Sequence, residues 1–389
     1  MPALWGRMQG VRPNKPFYRL LDRGFSLSEA LVEMQKKYGV SPAKLDLLRQ
    51  IAELEYPILA SLPRQAVSIY VGIPFCPSRC LYCSFPSHSL HELGQERQRF
   101  VAALLREIEV LGQQVQRLGF TVDSVYVGGG TPTALQASDL SKILQILKQV
   151  LPLPWREFTV EAGRPETLTD EHLSVLVAAG VQRISINPQT KHLETLQLIG
   201  RPHSAADIEL AVARSRKHFH TLNMDLILGL PGEDLAEVRA STKWVIGLRP
   251  ENITQHMFSP KRASRFTDEQ TAWQAMLPSG ELAASMVETT RELLRQAGYH
   301  PYYLYRQRNI LGGQENVGWT LPGHACRYNM IMISERQHIL GLGGGAASKF
   351  INADGTLVTH SNPKDVRVYI DRIEALIAKK AVLLAERSE

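Results

Sequence analysis

Three cysteines, Cys76, Cys80 and Cys83, fall within eight positions of the run Ile73-Pro74-Phe75-Cys76-Pro77-Ser78-Arg79-Cys80-Leu81-Tyr82-Cys83, in a chain of 389 residues with only four cysteines. Thiolates are soft ligands suited to iron–sulfur clusters and to zinc. Three of them on one tight loop can hold three irons of a four-iron cube and leave the fourth iron open to another ligand. A structural zinc ion needs a fourth protein ligand instead, and His88 and His91 follow closely enough in sequence for that role. The spacing favours a cluster over zinc, and both over a disulfide.

Such a loop has to be held by regular elements, and the hydrophobic pattern supplies them. Residues 1–65 read as a helical segment: Ser26-Leu27-Ser28-Glu29 opens one periodic run, and Ser41 precedes another that reaches Tyr56-Pro57. Over 66–300, strand-like stretches at 67–75, 122–127, 157–161, 183–187, 222–230 and 252–258 alternate with amphipathic helical stretches. The helical stretches lie near 94–118, 138–149, 170–179, 204–218, 234–247 and 280–297. Six strands, each followed by a helix, predict an α/β fold with a parallel sheet and right-handed crossovers, open or curled toward a barrel. Chemistry in such sheets collects at the C-terminal ends of the strands, and the cysteine loop directly follows the first strand. Over 301–389 the alternation gives way to a Tyr- and Gly-rich segment with a closing helix, expected as a smaller appended domain.

Other strand ends carry polar groups. The second ends in Gly128-Gly129-Gly130-Thr131-Pro132, where glycines let the backbone approach a ligand closely. The third ends in Glu161, the fourth in Gln189, and the fifth contains Asp225 just before Gly229-Leu230-Pro231-Gly232. Arg201 lies in Ile199-Gly200-Arg201-Pro202-His203. Each residue alone fits an ordinary structural role; together they place a glycine turn, Glu, Gln and Asp around one mouth.

Composition is that of an ordinary globular chain, 44% hydrophobic and 21% charged. The net charge of +6 suits an anionic substrate, and without a long basic run it argues against nucleic acid. No stretch of about 18 apolar residues is present, and the N-terminus lacks the order of a signal peptide. The expectation is a cytoplasmic protein with reduced thiols and no membrane insertion.

Cys76-x3-Cys80-x2-Cys83 after an Ile-Pro-Phe strand, followed by Gly128-Gly129-Gly130-Thr131-Pro132, resembles the radical S-adenosylmethionine (SAM) enzymes, and within them the oxygen-independent coproporphyrinogen oxidase group. The resemblance runs from about Trp5 to Lys349. Gly72-Ile73-Pro74-Phe75-Cys76, Ile186-Asn187-Pro188-Gln189-Thr190, Asn223-Met224-Asp225-Leu226-Ile227 and Pro301-Tyr302-Tyr303-Leu304-Tyr305-Arg306-Gln307 look like the HemZ-type coproporphyrinogen dehydrogenases. Glu315-Asn316-Val317-Gly318 and Leu342-Gly343-Gly344-Gly345-Ala346 extend the likeness.

The resemblance implies a partial (β/α)6 barrel with a helical N-terminal segment and a smaller C-terminal α+β cap. It implies a [4Fe–4S] cluster on Cys76, Cys80 and Cys83, with SAM chelating the fourth iron and being cleaved to methionine and a 5′-deoxyadenosyl radical. Gly129, Gly130 and Thr131 would lie against the methionine end of SAM. Glu161 would meet its cationic end, Arg201 its carboxylate, and Gln189 and Asp225 the ribose or adenine edge. Tyr70 would lie near the cluster and join the catalytic set, while Tyr82 and Phe85 would flank the cluster loop. The implied reaction converts two propionates of coproporphyrinogen III to vinyl groups, with a reduced flavodoxin- or ferredoxin-like electron donor. Lys261, Arg262, Arg265, Arg306, Arg308 and Arg327 are candidate partners for the substrate carboxylates.

The chain departs from that pattern at identifiable places. Phe85, after Ser84, stands where the oxidases carry a fourth cysteine, and Gly72 stands where they have His. The related heme-chaperone branch shares the phenylalanine. Of its His-Asn-x-x-Tyr-Trp motif, Tyr328-Asn329-Met330-Ile331-Met332-Ile333 keeps only the Asn. A heme-binding chaperone on the same scaffold is therefore one alternative, and a radical SAM enzyme acting on another tetrapyrrole, such as a heme-opening methyltransferase, is another. Cys326 has no motif partner and reads as a buried thiol. Relatives of this type usually carry a longer segment before Leu4-Trp5-Gly6.

Overall fold

In the computed structural model, residues 4–8, 10–83, 88–89, 94–260 and 275–387 are described. Their strands are β1 (Ala66–Ile73), β2 (Phe75–Cys76), β3 (His88–Ser89), β4 (Thr121–Gly129), β5 (Glu157–Glu161), β6 (Arg183–Ser185), β7 (Thr221–Leu228), β8 (Asn252–Met257), β9 (His300–Tyr305), β10 (Asn316–Thr320), β11 (His338–Gly343), β12 (Ala347–Ile351) and β13 (Leu357–Ser361). Six of them, β1, β4, β5, β6, β7 and β8, are adjacent and parallel, as the alternation of strand and helix requires. They correspond to the six strand stretches read from the sequence. The last segment does not form a separate sheet. β11 pairs parallel with β1 on one side, followed by β12 and β13, while β10 and β9 continue antiparallel from β8 on the other.

The two faces of this sheet differ in chemistry because side chains alternate along a strand. On the outer face Val67, Ile69, Val71 and Ile73 of β1, Val125 and Val127 of β4, and Met224, Leu226 and Leu228 of β7 are buried. The crossover helices cover them. In the helix Ala137–Val150, for example, Leu140, Ile143, Leu144 and Leu147 recur at helical spacing and are all buried. Reciprocal capping boxes, Ser204 with Asp207 and Asp234 with Glu237, fix where two of these helices begin. The inner face is polar and aromatic: Ser68, Tyr70, Ser124, Tyr126, Thr159, Glu161, Ser185, Asn223, Asp225, Thr254 and His256 occupy alternate positions in matched register.

The N-terminal end of the barrel is closed by the helix Arg327–Ser334. Glu157 accepts the first two backbone N–H groups of that helix, from Arg327 and Tyr328 at 2.8 and 3.0 Å, and the Cys326 thiol at 3.3 Å. An acceptor carboxylate satisfies the exposed donors of a helix start and suits its dipole. Arg327 itself forms a two-pronged pair with Asp123, at 3.0 and 2.8 Å. This corrects its expected role: it sits at the closed end, committed to Asp123, and not among the substrate carboxylates. Burial pushes the Cys326 thiol up, so it is an inert packing group.

Residues at both chain ends brace the barrel. The helices Leu27–Tyr38 and Pro42–Ala60 form as the sequence predicts, with the Ser26–Glu29 capping box in place, although the second of them runs through Pro57 to Ala60, and a further helix, Asn14–Asp22, precedes them. Buried Lys44 and Arg291 both hold Glu315, just before β10, and Trp5 donates to the same carboxylate at 2.8 Å. At the other end Lys380, Tyr369 and Asn362 converge on buried Glu107, which also accepts the Gly343 N–H at 2.6 Å.

Glu157→Ala removes the acceptor for two backbone N–H groups, that of Tyr328 buried, and the partner of Arg183, 3.6 Å away. The expected loss is about 3 kcal/mol of unfolding free energy in chemical denaturation, and an unchanged midpoint would contradict this account of the barrel floor.

Candidate functional site

The cysteine loop leaves the barrel at the C-terminal end of β1. β2 and β3 pair in parallel across its base, Phe75 with His88 and Cys76 with Ser89. The glycine turn after β4 is laid against the same stem: Gly130 N–H donates to the Ile73 carbonyl and Thr131 N–H to the Phe75 carbonyl, both at 2.7 Å. A Cβ at position 130 would stand 2.5 Å from the Phe75 carbonyl oxygen, so only glycine permits this approach. Gly72 has a similar cause. A Cβ there would meet the Gly344 carbonyl oxygen at 2.8 Å, which leaves no room for a histidine in this packing.

Cys76, Cys80 and Cys83 are in no disulfide. Cys76 Sγ lies 3.5 Å from Thr131 Oγ1, and the Cys83 N–H donates to the Cys80 carbonyl at 3.1 Å. Burial pushes the Cys76 thiol up to about 11; the Thr131 hydroxyl opposes this, and the charges of Cys83 and Cys80 add to it. Among the described residues no three His, Cys, Asp or Glu side chains gather as a single-ion site. A four-iron cube instead takes one thiolate per iron and holds them apart. His88, weighed as a fourth zinc ligand, places its Nε2 3.1 Å from the Lys364 carbonyl. His91, Ser84, Phe85, Lys261, Arg262 and Arg265 lie outside the described residues.

Around the mouth the remaining sequence candidates converge. Glu161 accepts from Tyr126 Oη at 2.6 Å, and a Cβ on Gly128 would stand 2.8 Å from its carboxylate carbon. Burial pushes Glu161 up to about 7; Tyr126 opposes and the Asp225 charge adds to the rise. Gln189 has a left-handed backbone (φ 67°), held because its N–H donates to the Asp225 carbonyl and its own carbonyl accepts from Ile227 N–H. Strain of this kind is retained where the surroundings over-determine it. Its side-chain oxygen is buried with no partner among the described residues. Asp225 receives Asn223 Nδ2 at 2.8 Å and lies 3.5 Å from His256 Nε2. Against the cost of burial, His256, Asn223 and Thr254 hold its carboxyl below the ordinary range.

Arg201 is buried behind the mouth. Its Nη2 donates to the Gly163 and Asn187 carbonyls at 2.6 and 2.8 Å, its Nη1 to Tyr82 Oη at 3.3 Å, and its Nε has no partner among the described residues. Tyr126 and Tyr328 stack on each other with centroids 4.6 Å apart, and Tyr70 packs against both, 6.2 and 5.9 Å away. Burial raises its hydroxyl, and the Glu161 charge raises it further. Arg306 donates to the Met8 carbonyl and lies over the Trp5 ring, whereas Arg308 is exposed beside a recess of about 240 Å³.

Several site residues escaped the sequence reading. Tyr126, Asn223, Thr254 and His256 occupy inward positions of their strands, a period-two signal that becomes legible once the register is known. Arg164 lies three residues past Glu161 and reaches the cysteine loop. The donors fit a cluster and SAM: thiolates for iron, a cationic pocket and a carboxylate for a zwitterion, and an orphaned buried amide oxygen and guanidinium nitrogen for a polar ligand.

Comparison with known proteins agrees. The Radical SAM superfamily model matches residues 70–245. The chain is 39% identical over 388 residues, 98% of its length and 77% of the relative's, to the oxygen-independent coproporphyrinogen-III oxidase-like protein HemZ of Bacillus subtilis (strain 168). It is 30% identical over 282 residues to the heme chaperone HemW of Lactococcus lactis, covering 72% of this chain and 69% of that one. Among solved structures, Escherichia coli coproporphyrinogen III oxidase (HemN), described as a radical SAM enzyme, superposes with a TM-score of 0.64 at 22% identity, over 82% of this chain and 71% of that one.

Burial that raises Glu161 favours its neutral form. The stability this contributes to the cluster-free chain is complete below the ordinary carboxylate value near 4.5 and is lost as pH rises through about 7. Glu161→Gln should match the wild type near the lower value and exceed it in thermal stability above the upper one. A pH-independent difference in a thermal melt would contradict the assigned environment.

Proposed function

Because the chain belongs to the radical SAM superfamily, among its HemN- and HemZ-like members that use a [4Fe–4S] cluster and SAM, we propose that it catalyses the oxygen-independent oxidative decarboxylation of coproporphyrinogen III to protoporphyrinogen IX. The observation that carries this reading is the 39% identity to a coproporphyrinogen oxidase-like protein along 98% of the chain, joined to a mouth whose donors suit SAM. When bound, cluster and SAM supply a 5′-deoxyadenosyl radical able to take a hydrogen atom from a propionate side chain.

Each role follows from the chemistry of the chain's own groups. Cys76, Cys80 and Cys83 hold the cluster. Gly129, Gly130 and Thr131, held in place by the two bonds to the stem, meet the methionine end of SAM. Glu161, ionised by a cationic partner, takes the ammonium. Arg201 takes the carboxylate through the guanidinium edge that the loop carbonyls leave. Gln189 supplies its unpartnered oxygen and Asp225 its low-lying carboxylate to hydroxyl or amine donors of the nucleoside. Tyr70 and its stacked neighbours wall off the barrel beneath, which limits water near a radical. Arg308, exposed beside its recess, would pair with a substrate carboxylate, and a reduced flavodoxin- or ferredoxin-like protein would be the electron donor.

A second reading is a heme chaperone on this scaffold, supported by the 30% identity to HemW. No helix among the described residues is long and apolar enough to cross a membrane.

Anaerobic reconstitution with iron and sulfide is expected to load about four irons per chain, and Cys80→Ala should abolish that uptake. The loaded protein with SAM, a reductant and coproporphyrinogen III should form protoporphyrinogen IX, methionine and 5′-deoxyadenosine. Stoichiometric heme binding without turnover would overturn the oxidase reading in favour of the chaperone.

A further inference from the structure

Arg164 lies in the turn that follows β5, and its guanidinium is buried, 3% exposed. Nη1 stands 3.4 Å from Cys80 Sγ and 3.4 Å from the Ser78 carbonyl oxygen. Nη2 donates to Ser78 Oγ at 2.9 Å. On its opposite edge, Nε and Nη2 lie 2.7 and 2.6 Å from Glu166 Oε1. Glu166 keeps its side chain 32% exposed, so the ion pair runs from the surface inward to a cysteine sulfur.

A guanidinium keeps its charge at any working pH and directs its N–H groups in a fixed plane. The reduction potential of an iron–sulfur cluster depends on its net charge, on hydrogen bonds to its sulfurs and on solvent exposure. A buried cation donating to a ligating sulfur stabilises the added electron. A carboxylate on the cation's far side offsets part of that effect.

We propose that Arg164 sets the reduction potential of the cluster through its N–H contact with the Cys80 sulfur, and that Glu166 tempers it from the outer edge. This rests on the cluster reading of Cys76, Cys80 and Cys83. The step concerned is a one-electron reduction by the external donor; Arg164 neither gains nor loses a proton in it. It is a positioning residue for charge, and it also pins Ser78 and Cys80 to the end of β5.

The test is a potentiometric titration of the full chain, reconstituted anaerobically and without SAM, with the reduced cluster counted by electron paramagnetic resonance. Arg164→Gln should lower the ratio of reduced to oxidised cluster at a fixed potential by about tenfold, a negative shift of about 59 mV for a one-electron couple. Arg164→Lys keeps the charge and should recover most of that loss. Glu166→Gln frees the guanidinium from its carboxylate and should shift the midpoint in the positive direction. A purely structural role for Arg164 gives no such opposed pair of shifts. An unchanged midpoint in Arg164→Gln with iron retained, or a negative shift in Glu166→Gln, overturns the proposal. If Arg164→Gln cannot hold iron, the sign of the Glu166→Gln shift decides. A wild-type chain that takes up no iron removes the cluster reading and this proposal with it.

Discussion

Everything at the mouth depends on how closely two backbones approach after β1 and β4. Their parallel ladder continues past the strands into two bonds of 2.7 Å, Gly130 to Ile73 and Thr131 to Phe75. A side chain at position 130 would collide with the Phe75 carbonyl, so the contact exists only because the turn is glycine. The stem of the cysteine loop is thereby welded to the turn that faces Glu161, and Thr131 comes into contact with Cys76. A second close approach, of Gly343 and Gly344 against Gly72 and Pro74, supports the stem from the other side and is itself tied to buried Glu107. The distance from the base of the cysteine loop to the polar row is thus fixed by main chain.

Charge is distributed around that frame in a consistent way. Acidic groups, Glu161 and Asp225, line the barrel interior at the strand ends, while two buried guanidiniums, Arg164 and Arg201, hold the cysteine loop from behind. A ligand that carries both an ammonium and a carboxylate meets complementary charge from both sets. The interior below is filled by Tyr70, Tyr126 and Tyr328, whose burial keeps their hydroxyls protonated. The floor is sealed by Glu157 at the start of the last-named tyrosine's helix.

The parts of this arrangement with a local cause were legible in the sequence. Six strands, their helices, the Ser26–Glu29 cap, the placement of Cys76, Gly129, Glu161 and Gln189 at or just after successive strand ends, and that of Asp225 within the next strand follow from periodicity and spacing. What was not legible has non-local causes. The pairing of β11 beside β1 joins residues some 270 positions apart, and nothing in the 338–343 stretch states its neighbour. Arg327 looked like a free cation until Asp123 appeared opposite it. His256 and Arg164 gained meaning only from Asp225 and Cys80, their partners across other elements. The Gly72 departure became intelligible only with the Gly344 carbonyl in place.

The central claim is that three thiolates leave one iron open toward the row of Glu161, Gln189 and Asp225, where SAM binds. Electron–nuclear double resonance on the reduced, reconstituted protein, with SAM isotopically labelled at its amino nitrogen, addresses it directly. The account requires a strong coupling between that nitrogen and the cluster. A spectrum unchanged by SAM, in protein shown to bind it, would contradict the account.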